Sequence, residues 1–89
     1  MKEVRITNRF KRDVRRALKR GKDRNKLERV VATLQSGKTL PEANRPQKLV
    51  GDWQGFWECH IEPDWLLIYD VTDTEVLLAG TGTHADLFR

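Results

Sequence analysis

The sequence predicts an α+β fold. An N-terminal strand and two antiparallel helices pack on an antiparallel sheet of about four strands, and a short helical turn closes the chain. Three observations predict it. Apolar residues in the first 35 positions recur at helical spacing. From residue 48 onward they alternate or run together as strands do. The links within each half are short enough to make successive elements antiparallel neighbours. A chain of 89 residues can bury one core, so residues 1–89 read as a single domain.

Residues 3–7, EVRIT, alternate polar and β-branched side chains and predict a short strand. Asn8 fits a helix N-cap. Phe10, Val14, Ala17 and Leu18 then fall on one helical stripe, while Arg12, Arg15, Arg16 and Lys19 fall on another. Gly21 suits the stop. Asp23 caps a second helix whose stripe is Leu27, Val30, Val31 and Leu34, with Gly37 as its breaker. Residues 37–48, with Pro41 and Pro46, are too short and too mixed to be a domain linker and read as an ordered loop.

Four strands are predicted beyond it: a weak one at Lys48–Trp53, broken at Gly51, then Phe56–Glu62, Trp65–Val71 and Glu75–Ala79. Pro63 and Asp64 fit the centre of a type I turn between Glu62 and Trp65. Carried through that turn, the two-residue strand period puts Trp57, Cys59 and Ile61 on one face with Leu66 and Ile68, toward the helices. Glu58, His60 and Glu62 share the other face with Trp65, Leu67 and Tyr69. A one-residue slip that buried His60 would expose Trp57 and Ile61.

In Gly80–Phe88, GTGTHADLF, the glycines allow a sharp turn, and Thr83 with Asp86 resembles a capping box with Asp in place of Glu. His84 becomes the first residue of a helical turn. The dipole there disfavours a protonated imidazole, making it a readier proton donor, and the free N–H groups nearby could hold an anion.

Charge is divided unevenly. Residues 1–50 hold 16 Lys and Arg against 5 Asp and Glu, whereas residues 51–89 hold 1 against 8. A basic half of this density suits a polyanion, such as nucleic acid or an acidic protein segment, although a solvated helix face has the same composition. No apolar run is long enough to span a membrane and no signal peptide is evident, so a cytoplasmic location is expected. The single cysteine can form neither an internal disulfide nor a cysteine-based zinc site. No close His/Cys spacing supports a metal site, and no cofactor is implied. Cys59 on an apolar face reads as core filler with an inert thiol.

Two histidines and an aspartate beside a basic surface suit in-line cleavage of RNA. One group removes the 2′-hydroxyl proton, another protonates the leaving 5′-oxygen, and cations stabilise the phosphate. Of the three tryptophans, Trp65, next to the turn, is the candidate for stacking on a base.

The motifs LVGDWQGFWECHIEPDWLLIY and GTGTHADLF, in the order strand, two helices, strands and a late histidine, resemble the YafQ branch of the RelE superfamily of bacterial toxins. The resemblance spans nearly the whole chain. It implies a ribosome-dependent, metal-independent endoribonuclease that cuts mRNA in the ribosomal A site. Its implied partners are the ribosome, mRNA and a cognate antitoxin, with a monomeric free toxin that forms a hetero-oligomer with the antitoxin. By the same resemblance His84 is the general acid, His60 and Asp64 orient or deprotonate the 2′-hydroxyl, and Phe88 holds the substrate nucleotide. Gln47 stands where family members often carry a histidine; an amide can hydrogen-bond a hydroxyl or phosphate but takes no proton at neutral pH. That departure keeps open a non-catalytic RNA- or antitoxin-binding relative. Phosphate charge is expected from Arg12, Arg15, Arg16, Lys19, Arg45 or Lys48.

Overall fold

The computed structural model describes residues 1–88. In chain order it contains β1 (Glu3–Ile6), α1 (Asn8–Lys19), α2 (Arg24–Gln35), β2 (Gln47–Lys48), β3 (Trp57–Glu62), β4 (Trp65–Val71), β5 (Glu75–Gly82) and α3 (His84–Leu87), with 3-10 turns at Glu42–Asn44 and Gly51–Trp53. The five strands lie in the order β1-β5-β4-β3-β2. β1 runs parallel to β5, so the sheet is mixed and not wholly antiparallel as expected. No hairpin fixes the direction of β1: the helix pair carries the chain from that edge of the sheet to the opposite edge at β2.

Local signals set the helix ends. Thr7, not Asn8, caps α1: its hydroxyl accepts from the Phe10 N–H at 3.0 Å and donates to the Ala79 carbonyl at 3.0 Å. Thr7 is the last residue of this edge whose backbone bonds β5, its N–H reaching Leu78 O. Asp23 caps α2 through the Asn25 N–H at 2.9 Å. Phe10, Ala17, Leu27, Val30 and Leu34 are buried as their spacing predicts, with Val14 and Val31 partly so. Asp13 is buried as well, which no apolar stripe foretells. β1 ends at Ile6 while β5 continues to Gly82, leaving the later β5 edge without a strand partner. There the Asp13 carboxylate accepts from the Thr81 N–H at 3.1 Å, satisfying a backbone donor that would otherwise be buried unpaired.

Both faces of β4 are covered. Trp65, Leu67 and Tyr69 pack with Cys59, Val76, Leu78 and the helices; Leu66 and Ile68 pack on the other side with Ala79 and Leu87, against Leu49, Trp53 and Phe56. This corrects the predicted faces of β4. The turn does pair Glu62 with Trp65, but the register shifts between His60 and Glu62, so that His60 faces Leu66 and Cys59 faces Leu67. A bulge at Ile61 absorbs one residue, and every later β4 side chain changes face. Cys59 and Ile61 keep their predicted helix side, and His60 keeps the open side. Glu62 moves to the helix side, where Lys22 and Lys26 donate to it at 2.7 and 3.0 Å; those two bonds hold its carboxyl below the usual range. Trp65 is core and not a base platform: it is 1% exposed, and its indole N–H reaches Thr81 Oγ1 at 2.9 Å.

The weak strand at Lys48–Trp53 shrinks to Gln47–Lys48. Gly51 takes φ +71° and starts the turn that swings Trp53 onto the open side. Cys59 is fully buried, and burial pushes its thiol up to about 12, which keeps it unreactive.

Candidate active site

His60 and His84 come together on the open side of the sheet, their rings 5.8 Å apart. Different elements hold them. His60 sits near the end of β3, where its Nδ1 lies 3.2 Å from the Pro63 carbonyl. A carbonyl can only accept, so Nδ1 carries the hydrogen and a neutral ring keeps its lone pair on Nε2. Asn44 donates to the His60 carbonyl at 2.9 Å, which brings the 3-10 turn before Arg45 alongside β3.

His84 begins α3. The expected capping box is complete: Thr83 Oγ1 accepts from the Asp86 N–H at 3.1 Å, and Asp86 Oδ2 accepts from the Thr83 N–H at 2.9 Å. Asp64, in the β3–β4 turn, places one oxygen 3.0 Å from the His84 N–H and 2.8 Å from its Nδ1. The backbone bond first, and the ring bond second, hold the Asp64 carboxyl below its ordinary range. Asp64 is therefore an ionised acceptor that orients His84. The anion site expected at this helix start is already taken, because Asp64 and Asp86 occupy the His84 and Thr83 N–H groups.

Phe88 is 40% exposed, with its ring 6.1 Å from that of His84. Gln47 pairs with Glu58 across β2 and β3, so it shares a face with Glu58 and, one strand period on, with His60. Glu58 is a buried carboxylate on the same strand face as His60; its place in an alternating strand marked its face, but nothing in the sequence marked its burial. Lys48 pairs with Trp57 and so lies on the helix side, away from His60.

The expected basic stripe divides. Arg12, Arg15 and Lys19 are exposed on the outer face of α1, opposite Phe10, Asp13 and Ala17. Arg16 turns inward, 3.2 Å from Asp13 and 3.8 Å from Asp86. Two arginines not singled out in the sequence join it. Arg9 pairs with Asp13 at 3.4 Å and lies 5.1 Å over the Trp53 ring; Arg20 meets Asp86 at 2.7 Å. Three guanidinium groups against two carboxylates leave one positive charge along the α1–α3 seam. Arg45 is exposed at φ +47°, a backbone region few non-glycine residues adopt.

A groove of about 620 Å³ lies elsewhere, by Leu34, Leu40, Trp57 and Tyr69. Neither histidine lines it. His60 is half-buried and His84 exposed, so both rings can be reached from solvent. Among the described residues, no group of three or more His, Cys, Asp or Glu is placed to hold a metal ion.

Comparison with known proteins places this geometry. A family model described as the bacterial toxin of type II toxin–antitoxin system, YafQ, matches residues 2–89. The mRNA interferase toxin YafQ of Escherichia coli K12 is 39% identical over 88 residues, covering 98% of this chain and 96% of the relative. The crystal structure of YafQ from E. coli strain BL21(DE3) superposes with a TM-score of 0.94 at 37% identity, covering all of both chains. YafQ in the crystal structure of the E. coli DinJ–YafQ toxin–antitoxin complex gives a TM-score of 0.91 at 38% identity, with 99% of this chain and 98% of the other covered.

Proposed function

We infer that the chain, which belongs to the YafQ family of bacterial type II toxin–antitoxin toxins, is an mRNA interferase, and we propose that it cuts mRNA in the ribosomal A site with His84 as general acid and His60 as general base. One observation carries the assignment: each ring has Nδ1 against an acceptor, Asp64 or the Pro63 carbonyl, which leaves both Nε2 atoms for substrate. The 2′-oxygen attacks phosphorus while its proton passes to His60 Nε2. The bond from phosphorus to the 5′-oxygen breaks, and His84 Nε2–H protonates the departing oxygen. The products are a 2′,3′-cyclic phosphate and a 5′-hydroxyl, and no metal takes part. Asp64 orients His84 through its N–H and Nδ1 without touching substrate, much as a triad carboxylate does.

Phe88, beside His84 and part-exposed, holds the nucleotide by stacking, and Gln47 hydrogen-bonds the ribose or phosphate. Arg9 and Arg16 on the α1–α3 seam, with Arg45 after the turn whose Asn44 bonds the His60 carbonyl, balance the phosphate. Arg12, Arg15, Lys19 and Lys48 are left for ribosomal RNA or for an acidic segment of a cognate antitoxin, the kind of partner DinJ is to YafQ in E. coli. The free toxin is a cytoplasmic monomer in which residues 1–89 work as one domain.

Gln47 favours a second reading, a binding-only relative, because an amide stands where a third imidazole would serve. Primer extension on mRNA bound to programmed ribosomes separates the two. Cuts at a fixed codon position are expected; ribosome binding with no cut would overturn the catalytic reading and leave the second.

A further inference from the structure

α3 is only four residues long, and a single helical turn has too few internal hydrogen bonds to hold itself. Its place, and with it the place of His84, depends on what grips it from outside. Leu87, its last residue, is buried, and the Trp53 indole N–H reaches the Leu87 carbonyl at 3.2 Å. The polar grip comes from α1. Arg20, at the C-cap of α1, donates to both Asp86 oxygens at 2.7 and 3.4 Å, a contact across 66 positions of sequence. The same Asp86 Oδ2 accepts from the Thr83 N–H immediately before His84. Its seat is tight: at Gly82, with φ +155°, an added Cβ would lie 2.8 Å from that oxygen.

Nothing else in the proposed mechanism uses Arg20 or Asp86. The chain of contacts runs from α1 through Arg20 and Asp86 to the first turn of α3, while Asp64 holds the same residue from the β3–β4 turn. We propose that Arg20 and Asp86 are a positioning pair that sets the reach of the acid His84 from α1, so that losing either slows leaving-group departure without weakening RNA binding.

The inference rests on His84 being the acid, and one substrate pair separates the two ideas. mRNA is placed on programmed ribosomes with either an ordinary linkage or a 5′-bridging phosphorothiolate at the cut; a thiolate leaves without protonation. Arg20→Ala and Asp86→Asn, the latter keeping an oxygen for the Thr83 N–H, should lose about tenfold in kcat on the ordinary linkage with KM unchanged, since small misplacements of a reacting group cost this much or more. On the sulfur linkage both should match wild type within about twofold, as His84→Ala should, and Arg20→Lys should recover part of the loss on the ordinary one. Wild-type kcat in Arg20→Ala, or a defect that persists on the sulfur linkage, would overturn the positioning role while leaving His84 as acid. A His84→Ala defect that sulfur does not relieve would overturn the acid assignment, and this inference with it.

Discussion

Replacing Thr81 by valine tests the packing beneath the site. Thr81 is fully buried; its hydroxyl accepts from the Trp65 indole N–H at 2.9 Å and donates to the Leu66 carbonyl. Valine keeps the β-branched shape and strand preference but removes both bonds. The indole N–H, on a side chain 1% exposed, then has no acceptor and no access to water. An orphaned buried donor costs about 1–3 kcal/mol, and the lost bond to the carbonyl adds about 1 kcal/mol, so a destabilisation of about 2–4 kcal/mol is expected. For a domain of this size that lowers Tm by roughly 10–30 °C. Urea unfolding followed by tryptophan fluorescence, with the slope unchanged, would measure it. A loss below about 0.5 kcal/mol would refute the reasoning, because it would mean that Trp65 points to the open face, as an unbulged hairpin requires.

Three further outcomes follow from the site. Asp64→Asn keeps an oxygen that can accept from the His84 N–H and Nδ1 but removes the charge, and Asp64→Ala removes both; single-turnover cleavage should fall about tenfold and about a hundredfold respectively, within the range of general acid catalysis, and equal rates in all three proteins would contradict the orienting role. The Asp64, Asp86 and Glu62 carboxyls all sit below their ordinary range in the fold. Their contribution to stability is therefore complete above the unfolded pKa of about 4 and disappears as pH falls through the lower folded values; Tm should hold steady from neutrality to about pH 5 and drop below about pH 4, less steeply in Asp86→Asn, and an identical acid limb in that variant would count against Arg20–Asp86 as a main source. Gln47→His should speed single-turnover cleavage if a missing imidazole limits the rate, and no gain would show that His60 suffices.

The helices were legible because their signals are local: Phe10 and Ala17, or Leu27, Val30 and Leu34, declare a buried stripe whatever lies across from them. The same holds for α3, whose Thr83–Asp86 box formed as its spacing implied, and for His60, placed on the open face by alternation within its own strand. What escaped notice depends on partners distant in sequence. The bulge at Ile61 is one unmarked residue, yet it reversed the faces of β4 and took Trp65 out of the site. Asp13 looks like a surface residue of a basic helix until β5 is seen to need an acceptor for Thr81. Arg20 lay outside the basic stripe, and its partner Asp86 was noticed only as a cap. The charge asymmetry pointed to cations supplied by the N-terminal half, but only the packing of α1 beside α3 shows that Arg9, Arg16 and Arg20 meet Asp13 and Asp86 there. The side on which Lys48 lies was illegible for a similar reason, since β2 turns adjacent side chains to opposite faces and keeps only Gln47 with His60.

The pH dependence of single-turnover cleavage on programmed ribosomes tests the acid–base account most directly, comparing wild type with His60→Ala and His84→Ala at equal folded fraction. A bell-shaped profile is predicted for wild type. His84→Ala should remove the alkaline limb and His60→Ala the acid limb, each with a rate loss of about 10²–10⁴. A folded His84→Ala or His60→Ala protein that cleaves at the wild-type rate with both limbs intact would contradict it.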